Sequence, residues 1–207
     1  MVVLFVHGMG RSSLSGWPML HLLRRAGIRT TTFDYTTAFE NFPSIKERLT
    51  AKIIALAARE NYIVVGHSLG GVLLRATLNS LPASTIRPQH VFLLGSPIQP
   101  SRLAAVLKKN IIFRVLAGDC GQLLSSPERM AEVGALAEPV TSVIGVRGIA
   151  ITQKYFDKEA NDGVVSVAEV SAHWILNQVQ LPVIHALLPL SRCVAEIIIE
   201  NVTENAG

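Results

Sequence analysis

An α/β fold, with a mostly parallel sheet of about six strands and helices on both faces, is what this 207-residue sequence predicts. Three observations carry that reading. Strand-like runs such as Val2–Val6 and Val91–Leu94 are apolar throughout, the pattern of strands covered on both faces. Stretches with apolar residues at helical spacing separate them, and alternation of the two implies parallel pairing. The composition, 49% hydrophobic and 16% charged, gives much core for little surface.

Each element follows from local signals. Val2–Val6 is β-branched and apolar, and a Gly/Ser loop leads to a helix over about 17–26, with Leu20, Leu22 and Leu23 on its apolar side. Residues 28–35, rich in Thr and Phe, form the second strand. Ser44 is the expected N-cap of the next helix, ahead of Ile45, Leu49, Ile53, Ile54 and Leu56. Strand 62–65, helix 69–81 and strand 90–94 continue the alternation. A longer, mostly helical stretch precedes strand 140–146. An irregular loop, strand 175–181 and a helix over 186–199 complete the chain. No repeat, linker or low-complexity segment interrupts it, so one domain over 1–207 is expected.

Charge and motif content remove several function classes. The net charge is +4, with Lys and Arg single or in pairs such as Arg24-Arg25 and Lys108-Lys109. No basic run interleaved with aromatics points to nucleic acid, and at most a weak attraction to anionic lipid remains. Cys120 and Cys193 form no metal or redox pattern, and both read as buried thiols. Gly145-Val146-Arg147-Gly148 lacks the third glycine and the helix of a nucleotide fingerprint, so neither cofactor nor metal is expected. Met1–Val6 has no basic region or cleavage site and reads as a strand, not a signal peptide. Residues 181–199 hold Pro182, His185, Pro189, Arg192 and Glu196, against a transmembrane helix. A cytoplasmic location is the expectation.

The most informative segment is Gly66-His67-Ser68-Leu69-Gly70, where the apolar run 62–65 meets a helical stretch. A strand, a sharp turn and a helix form a nucleophile elbow, which raises a serine hydroxyl at the C-terminal edge of the sheet. Glycines two residues to either side remove side chains that would clash in so tight a turn. On these residues, and on His7-Gly8-Met9-Gly10 after the first strand, the chain resembles the α/β-hydrolase superfamily, specifically its small lipase/esterase members. The likeness extends to Leu94-Gly95-Ser96-Pro97, similar to a turn many lipases carry after the next strand. It also covers Asn161-Asp162-Gly163, similar to the family's acid-bearing segment. The resemblance implies a minimal, capless form of the fold that lacks the two antiparallel strands often found at the N-terminal edge.

The chemistry can be assembled beside the resemblance. A serine hydroxyl needs an imidazole to take its proton, and the imidazole needs a carboxylate to fix its tautomer. The family order is Ser, acid, His. His185 follows strand 175–181 and so belongs at the edge that carries Ser68, whereas His173 precedes that strand and belongs at the opposite edge. Asp162, with Gly163 suited to a turn, is the expected acid, and Asp157 competes because the loop between them and strand 140–146 is long. Asp119 precedes that strand and fits less well, and Glu159 and Glu169 have no supporting turn. Two N–H groups must meet the developing oxyanion. One is Leu69, at a helix N-terminus, and the family position gives Met9 as the other, with Gly10 as second choice. Gly8 and Gly10 allow substrate to approach the loop closely, and Arg11, Ser12 and Ser13 line the mouth. His67 reads as packing in the elbow and His7 as a loop anchor.

Residues 96–139 carry Leu103, Val106, Leu107, Ile111, Ile112, Val115 and Leu116, an apolar pattern that could wall an acyl groove, and are too short for a cap domain. The expectation is an open site and a serine hydrolase for carboxylic esters with an apolar acyl chain. The alternatives are a thioesterase or acyltransferase with the same triad, or a hydrolase-fold binding protein with little turnover.

Overall fold

The computed structural model describes residues 1–204, with Ile112 by its backbone alone. Six strands, β1 (Val2–Val6), β2 (Arg29–Phe33), β3 (Tyr62–His67), β4 (Val91–Leu94), β5 (Val140–Gly145) and β6 (Asn177–Leu181), form one sheet. Their order is β2-β1-β3-β4-β5-β6, and every pairing is parallel. The helices are α1 (Trp17–Arg25), α2 (Phe42–Ala57), α3 (Leu69–Leu78), α4 (Arg102–Leu107), α5 (Ile111–Leu124), α6 (Pro127–Val133), α7 (Val167–Val170) and α8 (Arg192–Glu204). They cover both faces. One core holds Leu4, Val64 and Leu93 of the sheet against α2, α3 and α6; the other holds Phe5, Val65 and Phe92 against α1 and α8. Central strands β1 and β3 are fully buried, which is why they read as unbroken apolar runs.

Three local expectations change. Helix α2 starts earlier than Ser44: Asn41 is the N-cap, its side chain accepting from the Ser44 N–H at 2.9 Å, with Pro43 in the first turn. Ser44 is the donor in that cap. The last helix is split, with a 3₁₀ turn over His185–Leu190 ahead of α8, because Pro189 lacks the N–H that a continuous helix needs. Cys120 is buried as expected, but Cys193 is exposed on the outer side of α8.

In a parallel sheet, every loop that leaves a strand's C-terminal end lies at one edge. That edge collects the loops after β1, β3, β4, β5 and β6, and these carry His7–Arg11, Ser68, Gly95, Asp162 and His185. His173 is exposed ahead of β6, at the other edge, as the sequence predicts.

Candidate active site

The elbow is tightly constrained. Ser68 has φ 53° and ψ −123°, and its N–H donates to the Leu94 carbonyl at 2.9 Å. A side chain at Gly66 would come within 2.5 Å of the Gly71 backbone, and one at Gly70 within 2.2 Å of the Val6 carbonyl oxygen. Both glycines are therefore dictated by close packing of α3 on β1 and β3. Ser68 itself is partly exposed, while His67 and Leu69 on either side are buried.

Asp162 is fully buried. Its Oδ1 accepts the Val164 and Val165 N–H groups at 2.9 Å each, and its Oδ2 lies 2.6 Å from His185 Nδ1. The backbone doubles the link, since the His185 N–H donates to the Asp162 carbonyl at 2.9 Å. Asn161 closes the turn by accepting the Gly163 N–H at 3.0 Å. With Nδ1–H donated to the carboxylate, His185 keeps Nε2 free, without a hydrogen-bond partner among the described residues. The ring lies over Gly95, where a side chain would come within 2.9 Å of Nδ1. Gly95 is one residue beyond Leu94, which holds the Ser68 N–H.

Asp157 is exposed, has φ 50°, and uses its carbonyl to accept from Gln153, so of the two competing acids it is Asp162 that meets the imidazole. Asp119 works elsewhere, pairing with Arg129 at 2.7 Å and accepting the Phe42 N–H at the start of α2. Glu169 proves to have a turn after all. With Ser166 it forms a reciprocal cap on α7, and its Oε1 accepts the Arg102 N–H at 2.7 Å. The Ser166-Val167-Ala168-Glu169 spacing is a capping-box signature that the sequence carries openly. Arg102 adds a clamp: its guanidinium binds Glu159 and Ser166 and sits over the buried Phe156 ring. The start of α4 is thereby tied to the loop that bears Asp162.

Two further histidines frame the site. His7 stacks on Tyr35 at 4.4 Å, with Nδ1–H donating to the Gly8 carbonyl, which matches its reading as a loop anchor. His67 packs 4.8 Å from the His185 ring and donates Nε2–H to the His185 carbonyl at 3.2 Å. Burial, with His185 beside it, holds the His67 imidazole well below the usual histidine range. His67 thus stays neutral and steadies the loop that carries His185, a role beyond packing that sequence alone does not reveal.

In the β1 loop the Arg11 N–H donates to the Gly8 carbonyl at 3.2 Å, and Gly10 has φ 67°. A side chain at Gly8 would lie 3.1 Å from Ser68 Cβ, so this loop runs against the serine. Met9 is half-buried, and Gly10 and Arg11 are exposed. Beside Met9 and Gly10 opens an apolar groove of about 380 Å³, whose far wall is Leu107, Phe113, Leu116 and Ala117. Leu107 and Leu116 were expected there; the Ile112 side chain lies outside the described residues.

Comparison with known proteins agrees with this architecture. No curated protein matches the chain in sequence. Among solved structures, the methylesterase MES16 from Arabidopsis superposes with a TM-score of 0.66 at 14% identity, over 99% of each chain. The RedJ thioesterase of Streptomyces coelicolor gives 0.63 at 14% identity, over 98% of this chain and 85% of its own. Phospholipase PlaB from Legionella pneumophila gives 0.64 at 16% identity over 83% of this chain, which spans only 45% of that enzyme's length. At such identities the likeness is one of fold. The alpha/beta hydrolase family model, in contrast, matches residues 3–194. With that match across nearly the whole chain, on a fully parallel sheet with an elbow serine at its edge, the protein belongs to the alpha/beta hydrolase family.

Proposed function

We propose that the protein is a serine hydrolase that cleaves carboxylic esters through Ser68, His185 and Asp162. The observation that carries this reading is the doubly bonded His185–Asp162 pair at the sheet edge that also raises Ser68. Asp162 holds the Nδ1–H tautomer, so Nε2 is the nitrogen available to take the serine proton and return it to the leaving alcohol. The serine oxygen attacks the ester carbonyl, the alkoxide departs with that proton, and water then hydrolyses the acyl-enzyme by the same route. The Met9 and Leu69 N–H groups are the oxyanion donors in this scheme. Leu69 opens α3, where no helical carbonyl can reach its N–H. Gly8, Gly10 and Arg11 border the carbonyl's approach, and the groove beside Met9 suits an apolar acyl chain.

Covalent labelling by a fluorophosphonate, followed by a panel of nitrophenyl esters and matched thioesters, tests the proposal. Wild type is expected to label and turn over. Ser68→Ala is expected to lose labelling and activity by a factor on the order of 10⁴ or more, since the three residues act as a unit. Near-normal activity in that variant sinks the reading, and a clear preference for thioesters moves it to the thioesterase alternative.

A further inference from the structure

The exposed apolar side chains are not spread over the surface. Leu14 after β1, Phe39 after β2, Ile111 and Val115 after β4, Ile151 after β5 and Leu187 after β6 are 42–90% exposed. All stand in loops or helices at the C-terminal edge of the sheet, around the elbow that carries Ser68. Trp17, Val106, Leu116 and Leu190 add to the same side. Of the large apolar residues exposed among the described residues, only Ile54, Ile86 and Leu176 lie elsewhere. An apolar rim of this extent around one face marks an interaction surface, because scattered exposure would be the ordinary outcome.

Charge identifies the occupant. Between Ser101 and Asp119 there is no acidic residue, yet Arg102, Lys108, Lys109 and Arg114 fall in that stretch. Arg102 is neutralised by Glu159, and Arg129 beyond the stretch by Asp119. Lys108, Lys109 and Arg114 are exposed and form no salt bridge among the described residues; Lys108 acts on Glu128 only at longer range, and Lys109 and Arg114 have no acidic neighbour of that kind. They share α5 and the turn before it with exposed Ile111 and Val115. Apolar side chains that enter a boundary layer, with free cations beside them, suit the headgroup region of an anionic bilayer. No helix among the described residues is long and apolar enough to cross a membrane, so the contact is peripheral.

We infer that the C-terminal edge of the sheet docks on an anionic lipid bilayer, with the first half of α5 as its main anchor. Seated this way the Ser68 face turns towards the leaflet, and on the hydrolase reading above a lipid ester would enter from the membrane. Docking itself does not rest on that reading.

The test uses Ser68→Ala, so that binding is read without turnover, in sedimentation with phosphatidylcholine vesicles containing or lacking phosphatidylglycerol. Binding to the anionic vesicles that falls as salt rises is expected. Lys108→Glu with Lys109→Glu is expected to weaken partitioning on the order of tenfold or more while wild-type-background hydrolysis of a water-soluble ester is unchanged. Ile111→Ser with Val115→Ser, checked for fold by circular dichroism, is expected to weaken it similarly. No partitioning, equal binding to both vesicle types, or indifference to both double variants overturns the inference. So does a concentration-dependent dimer that Ile111→Ser with Val115→Ser dissolves, since the face would then belong to a second copy. Vesicle binding without esterase activity leaves docking standing and removes only the hydrolase reading.

Discussion

Ser68 occupies a backbone conformation that costs a residue with a Cβ about 1–3 kcal/mol. The surrounding packing sustains it: Gly66 and Gly70 sit against backbone atoms that no side chain could displace. Around that serine, Asp162 and His67 each have a definable task. Asp162→Asn keeps the shape of the turn but replaces an acceptor facing His185 Nδ1 with an amide. Activity is expected to fall by about 10³–10⁴ with the fold intact, measured as kcat on a soluble ester beside a far-UV spectrum. His67 meets His185 through its backbone carbonyl and through a ring contact, so it is a positioning residue. His67→Phe keeps a ring in place and deletes the N–H donated to the His185 carbonyl. A hydrogen bond of about 1 kcal/mol predicts a roughly fivefold drop in kcat with KM unchanged. An unchanged kcat, or a change in KM alone, would remove the positioning role.

Among the elements, α5 has the most unusual construction. At Gly118 the backbone leaves the helix, with φ 52° and ψ −142°, and a side chain there would come within 2.4 Å of the Thr37 carbonyl oxygen. Thr37 Oγ1 donates to the Leu116 carbonyl at 2.7 Å, pinning the turn just before the break. The groove wall formed by Phe113, Leu116 and Ala117 therefore depends on one glycine. Gly118→Ala is expected to cost about 2–3 kcal/mol in urea denaturation and to alter acyl-chain preference more than turnover of an acetyl ester. Such a kink is invisible in apolar periodicity, which runs unbroken through 111–117. The periodic and strongly apolar parts were legible: all six strands and the elbow, with Asp162 and Asp157 left as competing partners for His185 until the folded loop brought Asp162 to the imidazole. What failed to show was set by single contacts. Asn41 outcompetes Ser44 as a cap because Pro43 fits the first turn, and Pro189 divides the last helix. His67 touches His185 only once the fold brings together two positions 118 apart in the chain.

Across the whole molecule, three buried histidines set the acid limit. Burial lowers the pKa of His7, His67 and His90 below the ordinary 6.5. His90 is held neutral between Thr141 and Asn201. Above pH 6.5 both folded and unfolded states keep these rings neutral, and they cost nothing. Below it the unfolded chain binds protons that the folded one refuses, so stability is lost as pH falls from 6.5 towards the lowered values. Each ring contributes up to about 1.4 kcal/mol per pH unit in that window. Urea midpoints measured from pH 8 to pH 5 should hold steady above 6.5 and then decline, and His90→Gln should flatten the decline. A midpoint that rises on acidification contradicts the assignment.

Strand β6 is a sheet edge: among the described residues it pairs with β5 alone, and its Asn177, Gln178 and Gln180 are exposed. The loop directly after it delivers His185. The proposed base thus hangs from an edge strand, whereas Ser68 rises from β3, which is buried and paired on both sides. An edge strand frays at a fraction of the free energy that melts the core. In mild denaturant, esterase activity should therefore vanish before the circular dichroism changes, while Ser68 still stands on intact scaffolding. Amide exchange would report the same order, with residues 177–185 opening ahead of 62–67.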